Sequence, residues 1–183
     1  MKYFTPEACD TFDEIEPFRQ VNEAYRRNVT GLRGILSEKV LELAEPSGME
    51  NALVVYVAHD RTRRRLRLVL RCGDRQMGYY NLVLTYKDAW LRPEHDSVLA
   101  MIARTTKTQR TFECDLAYQE VDVSEDGSIV HSLIFYGRAY PESASASWPW
   151  FSIRCNELKW SREPKRTRRL PPSEDRYSAG RDG

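Results

Sequence analysis

The spacing of hydrophobic residues along the chain changes from a helical period to a strand period near residue 50. Before this point apolar side chains recur three or four residues apart, which is the spacing of one helix face. Pro17, Gly31 and Gly34 interrupt the pattern and divide it into short helices. The pattern therefore predicts a helical leader over residues 1–46. Its apolar positions include Phe18, Val21, Tyr25, Val29, Leu32, Val40, Leu41 and Leu43.

From residue 52 onward apolar and polar residues alternate, which is the pattern of half-buried strands. The segment RRLRLVLRC places three leucines and Cys72 on one face and arginines on the other. The segment YYNLVLTYKDAWL repeats the alternation, and its inward positions include Tyr86 and Trp90. The turn residues GDRQMG between the two segments predict a β-hairpin.

The remaining segments complete the predicted architecture. HDSVLAMIART predicts a short helix near 96–104, and three further segments (TFECDLAYQEVDV, SIVHSLIFYG and WFSIRCNELKW) predict strands. The fold class is therefore α+β, with N-terminal helices packed on a mostly antiparallel β-sheet or sandwich of six to seven strands. Residues 1–160 form the single predicted domain, with its β-rich part over 52–160. Residues 161–183 predict a basic, proline-containing disordered tail.

Composition places the chain among ordinary globular proteins. Hydrophobic residues make up 41% of the 183 residues and aromatic residues 11%, which suffices for one packed core. The opening MKYFTPEACDTFDE has no apolar run after its lysine, and no window is apolar enough for a membrane span. The sequence therefore predicts a cytoplasmic protein with no membrane partner.

The cysteines and the short motifs give no sign of a reactive centre. Cys9, Cys72, Cys114 and Cys155 lie far apart and include no C-x-x-C pair, which favours buried free thiols over a zinc site or disulfides. No glycine-rich phosphate loop and no hydrolase motif is present. We expect no catalytic residue, no metal and no cofactor, and the sequence favours a protein that is not an enzyme.

One predicted hairpin brings ionisable residues together. The segment QEVDVSEDGSIVH consists of two strand patterns joined by an Asp-Gly turn. A two-residue turn places Asp122 opposite His131, and a four-residue turn places Glu120 there instead. Either register gives the histidine a carboxylate neighbour. We expect a structural polar pair, and a reactive centre at His131 is the alternative.

Basic residues concentrate in the segment DRTRRRLRLVLR, and residues 51–75 hold seven basic and two acidic side chains. Guanidinium groups in such a row suit an acidic protein surface or the phosphates of nucleic acid, although a solvated face is the simplest interpretation. A tryptophan-proline-tryptophan loop at 148–150 either marks an interface or fills one end of the core. The candidate partner-binding residues are Arg61, Arg63, Arg64, Arg65, Arg67, Arg71, Trp148 and Trp150.

The opening MKYFTPE and the pattern L-x-Y-x-E-V-D…D-G…H-x-L-I-F within residues 113–136 resemble a loosely defined set of uncharacterised bacterial proteins. This resemblance implies a bacterial cytosolic origin and brings neither an activity nor a site residue. In its fold style the chain is also similar to immunity proteins of bacterial toxin systems, which act by binding.

These observations predict a non-enzymatic bacterial protein-binding protein, an immunity or accessory factor of a defence or signalling system. Its expected partner is another protein, with an acidic surface that matches the arginines. The alternative is a nucleic-acid-binding accessory protein that uses the Arg-rich 61–71 strand and the basic tail. A third hypothesis is a hydrolase-like enzyme centred on His131.

Overall fold

The structure is a computed structural model and describes residues 1–11, 14–45, 49, 51–74, 78–108, 114–137 and 148–164. The described residues form four helices and seven strands. The helices are α1 (Pro6–Cys9), α2 (Ile15–Gly31), α3 (Glu38–Ala44) and α4 (Pro93–Thr108). The strands are β1 (Ala52–Asp60), β2 (Arg65–Asp74), β3 (Gly78–Lys87), β4 (Cys114–Val123), β5 (Ile129–Gly137), β6 (Trp150–Cys155) and β7 (Glu157–Pro164).

All seven strands belong to one antiparallel sheet with the order β6-β5-β4-β1-β2-β3-β7. This confirms the α+β class and selects one sheet over a sandwich. The outermost strands of that order, β6 and β7, are consecutive in the chain and are separated only by Asn156. The single strand predicted from WFSIRCNELKW is therefore bent at Asn156. Its first part pairs with β5 and its second part with β3, so the sheet closes on itself.

Strands β1 and β4 share few residue pairs within the described part of the chain. These strands pair only at Ala52 with Leu116 and at Leu53 with Asp115. Helix α4 packs against β1 and β6. It is longer than the helix predicted near 96–104, and its apolar face, which includes Ile102, is buried in the core.

The N-terminal helices differ from the prediction at Pro17. This proline lies in the first turn of α2, where its missing N–H has no helical partner to lose. The break between α1 and α2 therefore precedes Pro17. Gly31 ends α2, as predicted, and Gly34 follows with a φ of +87°.

The predicted alternation in β2 is confirmed, because its leucines and Cys72 are buried in the core cluster. The prediction that the side chain of Trp90 points into the core is wrong. Strand β3 ends at Lys87, and Asp88 adopts a φ of +53°. The alternation stops at this residue, and the side chain of Trp90 is 49% exposed.

The boundary of the predicted tail is also corrected. Residues 161–164 belong to β7, where Ser161 pairs with Val83 and Pro164 pairs with Tyr80. The prediction ended the fold at residue 160 because the following residues are polar. Backbone hydrogen bonds to β3 hold these residues in a strand, and such bonds do not require apolar side chains. The rest of the predicted tail, residues 165–183, lies outside the described residues.

Candidate interaction site

The predicted carboxylate–histidine pair does not form, because the hairpin turn has an odd number of residues. Val123 pairs with Ile129, which leaves residues 124–128 in the turn. Val121 therefore lies opposite His131. Both predicted registers assumed an even turn, and a shift of one residue moves every side chain to the other face of the sheet.

The two carboxylates occupy the outer face of the sheet. Asp122 is half-buried and forms an ion pair with Lys2 at 3.7 Å. Glu120 is buried and accepts hydrogen bonds from the backbone N–H groups of Lys2, Tyr3 and Phe4. Glu120 thus attaches the start of the described chain to β4.

His131 lies inside the closed sheet in a hydrogen-bonded chain of polar groups. Its Nδ1 is 2.8 Å from the hydroxyl of Tyr86, and its Nε2 is 2.7 Å from Oε1 of Gln119. The amide nitrogen of Gln119 donates to the backbone carbonyl of Leu43 at the end of α3. Because a carbonyl can only accept, this contact fixes the amide orientation. Nε2 of His131 therefore carries the proton, and Nδ1 accepts from Tyr86.

This network supports the fold and offers no access to a substrate. His131 is 0% exposed, and burial lowers its pKa to about 3. The imidazole is therefore neutral at physiological pH, and both of its nitrogens have partners. A substrate could reach it only if the core rearranged.

Three of the predicted arginines occupy the turn between β1 and β2, which we call the arginine turn (residues 61–64). Arg61 forms an ion pair with Asp96 of α4. The backbone N–H of Arg63 donates to the carboxylate of Asp60 at 2.9 Å. The side chains of Arg61 and Arg63 are nevertheless 70% and 75% exposed. Their guanidinium groups therefore remain accessible to a partner.

The structure places an exposed tryptophan beside this turn. The N–H of Ala89 donates to the carbonyl of Arg64 at 2.7 Å, and the Arg64 guanidinium donates to the carbonyl of Asp88. Trp90 follows directly, and its backbone exchanges two hydrogen bonds with Arg154, of 2.8 and 2.9 Å. We call this surface the arginine–tryptophan patch; it consists of Arg61, Arg63, Arg64 and Trp90.

Sequence reasoning missed Trp90 because it extended the strand alternation too far. The Asp88-Ala89 step was the available signal, since both residue types are depleted in strands. The contact between Asp88 and Arg64 joins residues far apart in the chain, and no local pattern reveals it.

The other predicted arginines lie along the outer face of β2. Arg65 and Arg67 are exposed, and the Arg67 guanidinium lies 6.0 Å from the ring centre of Tyr56. Arg71 is half-buried and lies four residues further along the strand, about 13 Å from Arg67. Arg65 therefore adjoins the arginine turn, whereas Arg71 does not.

The predicted tryptophan loop packs against the fold. The indole N–H of Trp148 donates to the carboxylate of Asp10 at 2.7 Å. The ring of Trp150 lies 4.5 Å from the ring of His95, and both tryptophans pack against the core. These contacts favour the core-filling interpretation over an exposed interface loop.

A groove of about 600 Å³ lies between β1 and α4, next to the arginine turn. Its polar end contains His59, Asp96 and Arg61, with Nδ1 of His59 3.4 Å from the Asp96 carboxylate. Tyr56 and Ala100 are among the other lining residues. Within the described part of the chain, no group of three or more His, Cys, Asp or Glu residues could hold a metal ion.

The cysteines behave as predicted where their side chains are described. Cys9, Cys72 and Cys155 are free and buried. Burial raises the pKa of Cys9 and of Cys155 to about 12 and that of Cys72 to about 11. Their thiols are therefore protonated and unreactive at neutral pH. The side chain of Cys114 lies outside the described set.

Comparisons with protein-family models, with curated proteins and with solved structures give no match for this chain. The resemblance drawn from the opening and the hairpin therefore stays a prediction. None of the described helices has both the length and the apolar character needed to cross a membrane.

Proposed function

We propose that this chain acts by binding another protein, whose acidic surface docks on the arginine–tryptophan patch. The observation that carries the proposal is the half-exposed Trp90, which directly follows the contacts of Asp88 and Ala89 with Arg64 of the arginine turn. Tryptophan and arginine dominate the energetic centres of protein interfaces, because both offer large contact areas with directional polar groups. Binding without catalysis is how an immunity or accessory factor of a defence or signalling system would work.

The patch is rigid, which favours binding. Two backbone hydrogen bonds to Arg154 hold Trp90. The hydrogen bond from the N–H of Ala89 to the carbonyl of Arg64 connects the segment after β3 to the arginine turn. A partner that docks here needs to order only side chains. The entropic cost of association is lower for such a preorganised surface.

The charge of the patch favours an acidic partner. Asp60 and Asp96 each contact one arginine of the turn, yet a guanidinium carries five N–H donors. The donors left over can bind carboxylates of a partner in the bidentate geometry that arginine prefers.

The test is affinity capture of a stoichiometric partner on the wild-type chain, followed by binding measurements with variants. Trp90→Ala and Arg63→Glu should each weaken the complex about tenfold or more. Arg27→Glu on α2 and Ile15→Ala make matched changes at exposed positions elsewhere and should leave the affinity unchanged. Equal affinity for wild type, Trp90→Ala and Arg63→Glu would exclude the patch.

A nucleic-acid partner is the second candidate, favoured by the exposed arginines on the outer face of β2. Arg65 and Arg67 lie about 7 Å apart on this face. No described helix packs extensively on β2 or β3. Binding to phosphates would weaken steeply as salt rises. Fluorescence anisotropy with labelled DNA and RNA at low salt separates the two candidates. If the chain binds only an acidic protein, the anisotropy of neither polymer should rise.

A further inference from the structure

We infer that two copies of this chain associate through the end of the sheet that carries Trp90, and that the acidic partner competes with the second copy for this surface. The inference rests on the proposed function, because it gives the arginine–tryptophan patch a second occupant and so a means of regulation. It is carried by the contacts that join two turns to Trp90 and by the opposite charges of these turns.

The arginine–tryptophan patch continues across the end of the sheet to the turn between β4 and β5, which we call the acidic turn (residues 124–128). The N–H and the carbonyl of Trp90 both bond to the backbone of Arg154 on β6. The Arg154 guanidinium forms an ion pair with Asp126 of the acidic turn. On the other side, the two residues before Trp90 bond to Arg64. Trp90 therefore lies between the arginine turn and the acidic turn.

Trp90 and Arg154 present their side chains on the same outer face. The two residues form an antiparallel bridge, and residues opposite each other in such a bridge point to the same side. Ile153 and Cys155 are buried, so Arg154 between them points outward. The side chain of Arg154 is 43% exposed, and Trp90 is 49% exposed. A second molecule can therefore contact both residues at once.

Hydrogen bonds within the acidic turn fix its shape. The hydroxyls of Ser124 and Ser128 both donate to the Asp126 carboxylate, at 2.6 and 3.1 Å. The N–H of Gly127 donates to the carbonyl of Ser124 at 2.8 Å. Both sides of the surface are thus ordered before a second molecule arrives, which lowers the entropic cost of association.

The charges on the two sides of Trp90 are opposite. The arginine turn carries three arginines, and two carboxylates contact them. The acidic turn carries Glu125 and Asp126, and one arginine, Arg154, pairs with Asp126. Glu125 is exposed, and the side chain of Arg63 is 75% exposed. One side of the surface therefore has an excess of positive charge and the other an excess of negative charge.

A surface of this polarity is complementary to itself. When two copies meet about a twofold axis at Trp90, the arginine turn of each copy faces the acidic turn of the other. The two Trp90 rings then meet at the axis, where offset stacking covers their exposed faces. An acidic partner is attracted to the arginine turn alone, whereas a second copy matches both turns. The charges therefore favour a second copy as the occupant of the whole surface.

Sedimentation velocity of the wild-type chain measures this association. The chain should pass from monomer to dimer between about 1 μM and about 1 mM, because a small interface supports weak binding. Trp90→Ala should weaken the dimer about tenfold or more. Tyr56→Ala removes an aromatic side chain of nearly equal exposure, 48%, from β1 and should leave the dimer unchanged. Thermal unfolding of both variants shows that the fold is intact.

Charge reversal tests how the two copies face each other. Arg63→Glu and Glu125→Arg each place like charges opposite each other, so each variant alone should dimerise about tenfold more weakly or worse. An equal mixture of the two variants should restore the dimer, because every contact between an arginine turn and an acidic turn then joins opposite charges. Arg27→Glu reverses an exposed arginine of α2 and should change nothing.

Several results would overturn the inference. These are a chain that stays monomeric up to about 1 mM, a dimer that Trp90→Ala leaves unchanged, and a mixture that associates no better than either variant alone. A captured partner should dissociate the dimer, and a partner that binds the intact dimer would also contradict it.

The same measurements separate this inference from the proposed function. If a captured partner depends on Trp90 while the chain stays monomeric, the inference fails and the proposed function stands. If the chain dimerises as expected but Trp90→Ala leaves the captured partner unaffected, the dimer stands and the proposed docking on the patch fails.

Discussion

At the scale of single residues, His131 shows how the closed sheet keeps polar groups in its interior. A buried polar group is costly unless it is hydrogen-bonded. Here Tyr86, His131 and Gln119 satisfy one another, and the series ends on the carbonyl of Leu43. The network joins three strands to α3, which specifies how these elements meet.

The low pKa of His131 predicts acid sensitivity of the fold. In the unfolded chain its pKa is near 6.5, and in the folded chain it is about 3. Between these values the unfolded state binds a proton that the folded state excludes. The free energy of unfolding should therefore fall as pH decreases below about 6.5, by up to about 1.4 kcal/mol per pH unit. Urea unfolding at a series of pH values measures this slope.

The variant His131→Phe supplies the control for this prediction. It is less stable at neutral pH because it leaves Tyr86 and Gln119 without their partner. Between about pH 6.5 and 5, however, its stability should change less with pH than that of the wild type. His95, whose pKa burial also lowers, titrates in both proteins and cancels in the difference. Parallel profiles would show that His131 is not the titrating group.

At the scale of elements, turn geometry decides which side chains face the core. The odd turn between β4 and β5 puts His131 inside and both carboxylates outside. The hairpin of β2 and β3 depends in a different way on glycine. Gly73 pairs with Tyr79 and has a φ of +95°, a conformation that glycine adopts without strain.

Gly73→Ala should destabilise the protein strongly, because the added Cβ would lie 2.1 Å from the carbonyl oxygen of Gly78. Gly127→Ala is the matched control. Gly127 also has a positive φ, of +83°, but a Cβ there meets nothing within 4 Å. We expect the control to cost about 1–2 kcal/mol from backbone strain alone, and Gly73→Ala to cost more. Chemical denaturation measures both, and equal losses would refute the close contact.

At the scale of the whole molecule, one bent strand closes the sheet and one buried carboxylate attaches the helical leader to it. Asn156 separates β6 from β7, so a single segment pairs with β5 and with β3. Glu120 accepts three backbone hydrogen bonds from residues 2–4. The arginine turn and the groove meet where α4 faces the end of β1, because Arg61 lines the groove and pairs with Asp96 of α4.

Glu120→Gln should loosen the start of the chain without unfolding the sheet. Hydrogen bonds to a buried carboxylate contribute about 1.5–3 kcal/mol each, and the amide can accept fewer of them. Hydrogen exchange at residues 2–4 should accelerate about tenfold or more. Asp122→Asn removes a half-exposed carboxylate from the same strand and should change stability by less than about 1 kcal/mol. Unchanged exchange in Glu120→Gln would show that other contacts hold this segment.

The sequence by itself determined the elements, because the period at which apolar residues recur is a local property of the chain. The residue order alone predicted the alternation in β2, the helical spacing before residue 50 and the buried thiols. Tertiary structure alone decided the register of β4 with β5, the closure of the sheet at Asn156 and the place of Trp90 beside Arg64. The register depends on whether a turn has an odd or an even number of residues, because a shift of one residue reverses which face of the strand is buried. The other two features depend on contacts between residues far apart in the chain.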